Sequence, residues 1–404
     1  MSEPADASSL AIQARELLQA AVLDIAQAQF DKLPRPEECI VVFSGGVDSS
    51  VSLHLAASLL GVKHAITVLV QDTPASDAPW AEATTENFPG VTHIVLRPTL
   101  DELLDQDMPF LVQTIHSFDG MALRNSVCAT HALRHAASLG FKYVLTGDAA
   151  DELMGGYRFT HRYDDEAWAQ QRATMVAKWH FDSGVVGDAL GLRVTSPFFH
   201  PPFVAFCLES LKKPDCIGPY PLRVTPSEPL EDGVITGKIP LRGAFPELLS
   251  SSRRKDPQEI GCGTTMLGAA PWATPPRLGH FDLRIDVAAL ASEKARIGGE
   301  YAIKIRDKEH LAYFHVFEKL FGKSEEAEGE EKECAIKKVL RVPGKPRPND
   351  DPCPACGFKL DTPTQTFCLT CGHYEEALRF RNQGEKAGAA AVAEGDEAEE
   401  EIKY

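Results

Sequence analysis

The ten residues Val41-Val42-Phe43-Ser44-Gly45-Gly46-Val47-Asp48-Ser49-Ser50 constrain the fold more than any others in the chain. Cys39 to Phe43 is a short apolar run of the kind buried in a parallel sheet; it leads directly into two glycines and then into a helical pattern that continues through Leu60. Strand, tight turn and helix in that order open a doubly wound α/β fold. The glycines let backbone approach a ligand closely. Successive N–H groups at the start of the helix, with the hydroxyls of Ser44, Ser49 and Ser50, then form an anion site suited to polyphosphate. Asp48 adds a carboxylate that an anion site alone does not need and that suits a divalent cation. The serines and the aspartate could instead act as ordinary helix caps. Their combination with two glycines after a buried strand favours the polyphosphate reading.

The same alternation runs on. Leu10, Ala14, Leu17, Leu18, Ala21, Ile25 and Ala28 recur at helical spacing, and Pro34 and Pro36 end that helix. Further strands are expected at Ala65 to Val70, His93 to Leu96 and Tyr143 to Leu145, the last after a helix from about Ala129 to Leu139. Beyond Gly156 the pattern is mainly helical, with proline- and glycine-rich loops between about 214 and 280. The expected fold class is α/β: a doubly wound parallel sheet, a helical second lobe and, from the paired cysteines Cys353/Cys356 and Cys368/Cys371, a small C-terminal zinc ribbon. The expected segments are an N-terminal helix (1–34), a catalytic domain (35–322), an acidic and proline-rich linker (323–349), the ribbon (350–380) and a disordered acidic tail (381–404).

A second constellation, Thr146-Gly147-Asp148-Ala149-Ala150-Asp151-Glu152, follows the strand ending at Leu145 and is closed by Gly155-Gly156-Tyr157. Alone it reads equally as an exposed acidic turn. In a parallel sheet, however, loops at the carboxyl ends of neighbouring strands converge on one crevice, where Asp48 and Asp151 could share Mg²⁺.

The formal charge of −17 is uneven: residues 324–333 and 394–401 hold −11 of it, leaving −6 for everything else. No segment reaches the roughly 18 apolar residues of a membrane span, and Met1-Ser2-Glu3-Pro4 lacks a signal-peptide pattern, so a cytoplasmic protein with no membrane partner is expected. Ten cysteines fit a reducing compartment and a metal better than a disulfide framework. Cys353-Pro-Ala-Cys356 and Cys368-Leu-Thr-Cys371 form two knuckle-like pairs that suit a structural Zn²⁺, with two redox pairs, or His373 as a substitute ligand, as alternatives. Lys337, Lys338, Arg341, Lys345 and Arg347 precede the ribbon, which could take a protein or RNA partner; a solvated linker explains the same charges.

With these motifs in hand, the chain resembles the synthetase domain of the asparagine synthetases, whose relatives include the β-lactam synthetases and whose fold is the PP-loop, adenine nucleotide alpha hydrolase-like one. The resemblance covers roughly 35–322. It rests on SGGVDSS at 44–50, LTGDAADELMGGY at 145–157, GLRVTSPFF at 191–199, GKIPLRGAFPELL at 237–249, RRKDPQEIGCGT at 253–264 and DKEHLAYFHVFEKLFG at 307–322, in the family's order. It implies that Ser44, Gly45, Gly46, Asp48, Ser49 and Ser50 bind the pyrophosphate portion of ATP, with Thr146 and Gly147 also on the nucleotide. It further implies that Asp48 and Asp151 hold magnesium, that Lys255 stabilises charge on the phosphoryl oxygens, and that Arg124 lies in the substrate pocket.

Several positions depart from the family. Asp148 replaces the usual glutamate, and Arg193, Thr195 and His200 replace glutamate, arginine and aspartate on the expected acceptor side. Ser2 follows Met1 where glutamine-hydrolysing members carry a cysteine, and only about 40 residues precede the loop, so no glutaminase is expected and ammonia would arrive free or from a partner glutaminase. The expected activity is an AMP-forming ligase that adenylates a small carboxylate, aspartate by default, and transfers it to ammonia. The alternative is an ATP-dependent tRNA-thiolating enzyme using Cys128, for which the neighbouring sequence offers no second thiol.

Overall fold

The computed structural model describes residues 7–29, 35–268, 276–326, 336–348, 352–360 and 367–374; the acidic tail and most of the acidic run before the ribbon lie outside them. The chain forms two compact units, residues 1–100 with 128–264 and residues 101–127 with 265–404. Among the described residues no helix is long and apolar enough to cross a membrane.

The first unit is built on a five-stranded sheet of β1 (Cys39–Val42), β2 (His64–Val68), β3 (Thr92–Leu96), β4 (Tyr143–Leu145) and β5 (Arg193–Thr195), in the order β3-β2-β1-β4-β5. Every neighbouring pair is parallel. The order reverses at β1, with β2 on one side and β4 on the other, so a crevice is expected outside the carboxyl ends of β1 and β4. Val41 lies opposite Leu145, so the turns that follow these strands start at the same level.

The N-terminal helix Ala7–Gln29 buries Leu10, Ala14, Leu18 and Val22 in the core that also holds Val41, Phe43 and Val51. Burying a leucine or valine contributes roughly 1.5–3 kcal/mol, and the helix is further tied by Arg15 Nη1, which donates to Ala244 O at 2.8 Å.

β5 and an antiparallel hairpin, β6 (Gly218–Leu222) with β7 (Glu231–Thr236), fall where helices and loops were expected. β5 has three residues, too few for a period to show. Thr146 N donates to Thr195 O at 2.9 Å, so β5 is specified by its place beside β4.

In the second unit, helix Lys308–Phe321 is capped by Asp307, which accepts from His310 N, and buries Leu311, Phe314, Phe317 and Phe321 at helical spacing. Part of the stretch expected as a linker pairs as strands: β8 (Gly322–Glu326) runs antiparallel to β9 (Ile336–Leu340). The cysteine module is docked within this unit. Lys304 N donates to Ala355 O, Phe118 N donates to Thr370 O, and Arg347 Nη2 donates to Tyr301 O and Cys356 O.

Candidate nucleotide and metal sites

The turn after β1 is shaped by its glycines. Gly45 has φ +73, and a Cβ there would lie 2.5 Å from Ala81 N. Gly46 is the N-cap of helix Val47–Leu60. Ser49 Oγ donates to Gly46 O at 3.2 Å and accepts from Ser44 N at 3.2 Å, which fixes the loop around the helix's first turn. Arg253 clamps it from outside: Nη1 donates to Ser44 O at 2.9 Å, and Nη2 pairs with Asp77 Oδ1 at 2.5 Å. Arg253 is thus buried.

The turn after β4 meets this loop. A Cβ at Gly147 would lie 2.8 Å from Asp48 Cβ and 2.9 Å from Ser49 N, so only glycine allows the approach. Ser44, Gly46, Asp48, Ser49, Thr146, Gly147, Asp148, Asp151 and Lys255 line one cleft, together with Lys238, Arg254 and Thr67. Gly45 turns against Ala81 and Ser50 is fully buried; neither is among the lining residues.

Lys238 is not among the expected site residues, yet it lies at the centre of the cleft's charges. It sits in the left-handed region (φ 64) at the start of helix Ile239–Ala244, its side chain 2% exposed. Its Nζ is 2.5 Å from Asp48 Oδ2 and 2.6 Å from Asp151 Oδ1, and Lys255 Nζ lies 3.1 Å from Asp151 Oδ2. Burial pushes the Asp48 carboxyl up, with Asp151 adding and Lys238 opposing. Burial acts the same way on Asp151, but there the two ammonium groups outweigh it and hold the carboxyl below the usual range. Lys255 is held above its ordinary value because Asp151 and Asp48 overcome its desolvation. Asp48 Oδ1 has no hydrogen-bond partner among the described residues. A buried, unpartnered carboxylate oxygen beside a second carboxylate fits a hard divalent cation such as Mg²⁺.

Asp148 stands behind the loop. Its Oδ2 accepts from Thr146 Oγ1 at 2.8 Å and Ser183 Oγ at 2.6 Å; burial raises its pKa against those two hydrogen bonds. His200 faces the N-terminal helix, with Nε2 3.0 Å from Asp24 Oδ2, and Thr195 supplies a backbone carbonyl to Thr146. Arg124 belongs to the second unit, where its Nε lies 3.2 Å from Glu309 Oε1.

The four sulfurs of Cys353, Cys356, Cys368 and Cys371 lie within 4.8 Å of one another, with two pairs at 3.8 Å. A tetrahedron with Zn–S bonds of about 2.3 Å has S···S edges of about 3.8 Å, so the set fits Zn²⁺. His373 is outside the cluster and supplies its carbonyl to Cys368 N.

Residues 14–213 match the family model described as asparagine synthase. Glutamine-hydrolysing asparagine synthetase 2 of Oryza sativa subsp. japonica is 30% identical over 132 residues, covering 30% of this chain and 22% of that protein. The glutamine-hydrolysing asparagine synthetase of Sandersonia aurantiaca is 28% identical over 181 residues, 41% of this chain and 33% of that protein. Asparagine synthetase B of Escherichia coli (strain K12) is 23% identical over 341 residues, 77% of this chain and 56% of that protein. The chain therefore spans between 22% and 56% of the length of these relatives. The family match includes both loops of the cleft and ends before Lys238 and Lys255. Through residues 14–213, this chain carries a domain of the asparagine synthase family.

Proposed function

We propose that the chain is an ATP-dependent amide ligase that forms AMP and pyrophosphate, adenylating a small carboxylate, aspartate in the first instance, and passing the acyl group to ammonia to give asparagine. The observation that carries this reading is the convergence of the loops after β1 and β4 on one cleft, where Asp48 and Asp151 face two buried or half-buried lysines. Backbone N–H groups at the start of helix Val47–Leu60, with the hydroxyls of Ser44 and Ser49, would grip the pyrophosphate end of ATP. Gly45 and Ser50 shape that loop, and Thr146 and Gly147 would contact the nucleotide from the other side. Asp48 and Asp151 would hold Mg²⁺, which when bound neutralises polyphosphate charge.

Adenylation forms a bond from a carboxylate oxygen to the α-phosphorus while pyrophosphate leaves. Lys255 and Lys238 line the cleft where that negative charge grows. Asp148, its proton affinity raised by burial, is suited to take the proton that ammonia must lose as it displaces AMP. Ammonia would come free or from a partner glutaminase. The zinc module has a structural part, since four thiolates leave no coordination position open.

One observation favours a second reading, tRNA thiolation. Cys128, which has no second thiol nearby in sequence, contacts Cys262 in space, and both line the cleft. The test is magnesium-dependent pyrophosphate release by the purified protein with ATP, with aspartate and other carboxylates, with and without ammonia, and with unmodified tRNA in parallel. Aspartate-dependent release, and asparagine with AMP on adding ammonia, is expected. Release only with another acid changes the substrate, release only with tRNA favours thiolation, and no release with any acceptor rejects both. Retained tRNA thiolation by Cys128→Ala would by itself remove the second reading.

A further inference from the structure

Adenylation and transfer to ammonia use no thiol, yet the cleft contains two. Cys128 lies on helix Gly120–Ser138 and Cys262 ends helix Gln258–Cys262, so the fold brings together residues far apart in sequence. Both line the cleft with Asp48 and Lys255, and their sulfurs are hydrogen-bonded to each other. Cys262 Sγ is also 3.3 Å from Thr264 Oγ1. Its backbone is anchored, Val70 N donating to Cys262 O at 2.8 Å, so the thiol is held in place.

We propose that Cys128 and Cys262 form a reversible oxidation site, joined as a disulfide by a peroxide that enters the nucleotide cleft. The Cys262 thiolate attacks one peroxide oxygen and the O–O bond breaks. This leaves a sulfenic acid on Cys262 and releases the other oxygen as water or an alcohol. The Cys128 thiolate then displaces hydroxide from that sulfur, which leaves as a second water. Each sulfur loses one electron and the peroxide gains two. Cys262 is the attacking group because the Cys128 hydrogen bond, with help from Thr264, holds its thiol below the usual range against burial. The other described cysteines of this unit are poorer sites: burial pushes Cys39 and Cys216 up to about 12 and raises Cys207 well above its ordinary value, and none of them lines the cleft. A disulfide draws the two sulfurs from hydrogen-bonding distance to about 2 Å. The helix that must follow begins three residues after Lys255, so the bond acts on the segment that carries the proposed charge-stabilising lysine.

The experiment exposes the full-length protein to graded hydrogen peroxide, alkylates remaining thiols and maps the digested peptides by mass. A peptide pair joined through Cys128 and Cys262, two hydrogens lighter than its reduced form, is expected before any other cysteine oxidises. Dithiothreitol should reverse it and ATP should slow it. Cys128→Ser should stop at a Cys262 sulfenic acid trapped by dimedone, whereas Cys262→Ser should leave Cys128 reduced at the same dose. The inference is overturned if Cys262 stays reduced while Cys39, Cys207 or the zinc-module cysteines oxidise, or if Cys262 pairs with a different cysteine. Mapping the wild type decides this without any variant and without activity.

Discussion

Lys238→Met removes the ammonium that bridges Asp48 and Asp151 and keeps a side chain of similar length, so the backbone strain at φ 64 is unchanged. Two largely buried carboxylates then face each other, and only Asp151 retains a cationic partner within 4 Å, Lys255 at 3.1 Å. Removing one partner of a buried ion pair costs about 3–5 kcal/mol, and the surviving Lys255 contact points to the lower end, roughly 3 kcal/mol at neutral pH. The pH dependence has a definite sign. Asp151, held below its unfolded value, contributes stability that is present above the unfolded carboxylate pKa and lost as pH falls. Without Lys238 that contribution shrinks, and the already raised Asp48 carboxyl rises further. The gap between variant and wild type should therefore narrow as pH falls into and through the unfolded carboxylate range of about 4 and the carboxylates protonate. Urea unfolding at several pH values measures it, and Mg²⁺ should stabilise the variant by replacing the lost positive charge. A deficit under about 1 kcal/mol at neutral pH, or one unchanged by acid, would refute this account of how the carboxylates are held.

Three further outcomes follow from the same structure. Gly156→Ala would put a Cβ 1.7 Å from Asp151 Oδ1, so the carboxylate must move; ATP–pyrophosphate exchange should fall at least about tenfold with an overpacking cost of about 1–3 kcal/mol, and a fully active, stable variant would contradict it. Burial pushes Glu309 up to about 7 despite Arg124 and the Tyr313 hydroxyl, so its share of stability should decline from about pH 4.5 to pH 7, by roughly 3 kcal/mol. Glu309→Gln should flatten that slope in melting curves taken across pH. Cys356→Ser should lower the zinc content measured by mass spectrometry and destabilise the second unit by several kcal/mol, because the module is bonded to Tyr301 O through Arg347; a metal-free wild type of unchanged stability would oppose this.

What could be read from the sequence follows the range of the forces involved. β1, its glycine turn and the following helix are specified locally, by an apolar run, two glycines and a helical period, and they appear as expected. The convergence of the glycine-rich loop and the acidic loop was also legible, because parallel topology alone predicts that turns after adjacent strands meet. β5 was not, since three residues show no period and its pairing depends on β4. β8 and β9 were hidden by a composition that resembles a linker, whereas their pairing is a backbone matter. Lys238 was missed because a lysine in a glycine- and proline-flanked segment looks solvated; only the fold shows it buried between two carboxylates. The Cys128 to Cys262 contact was invisible for the same reason, its two halves lying in motifs far apart in the chain.

The most direct test of the central claim is ATP–pyrophosphate exchange with candidate carboxylates, compared between the wild type and Asp48→Asn. The account predicts acid-dependent exchange in the wild type, with AMP and never ADP as the nucleotide product, and loss of exchange by more than about a hundredfold when the Asp48 charge is removed. ADP and inorganic phosphate as products, or undiminished exchange in Asp48→Asn, would contradict it.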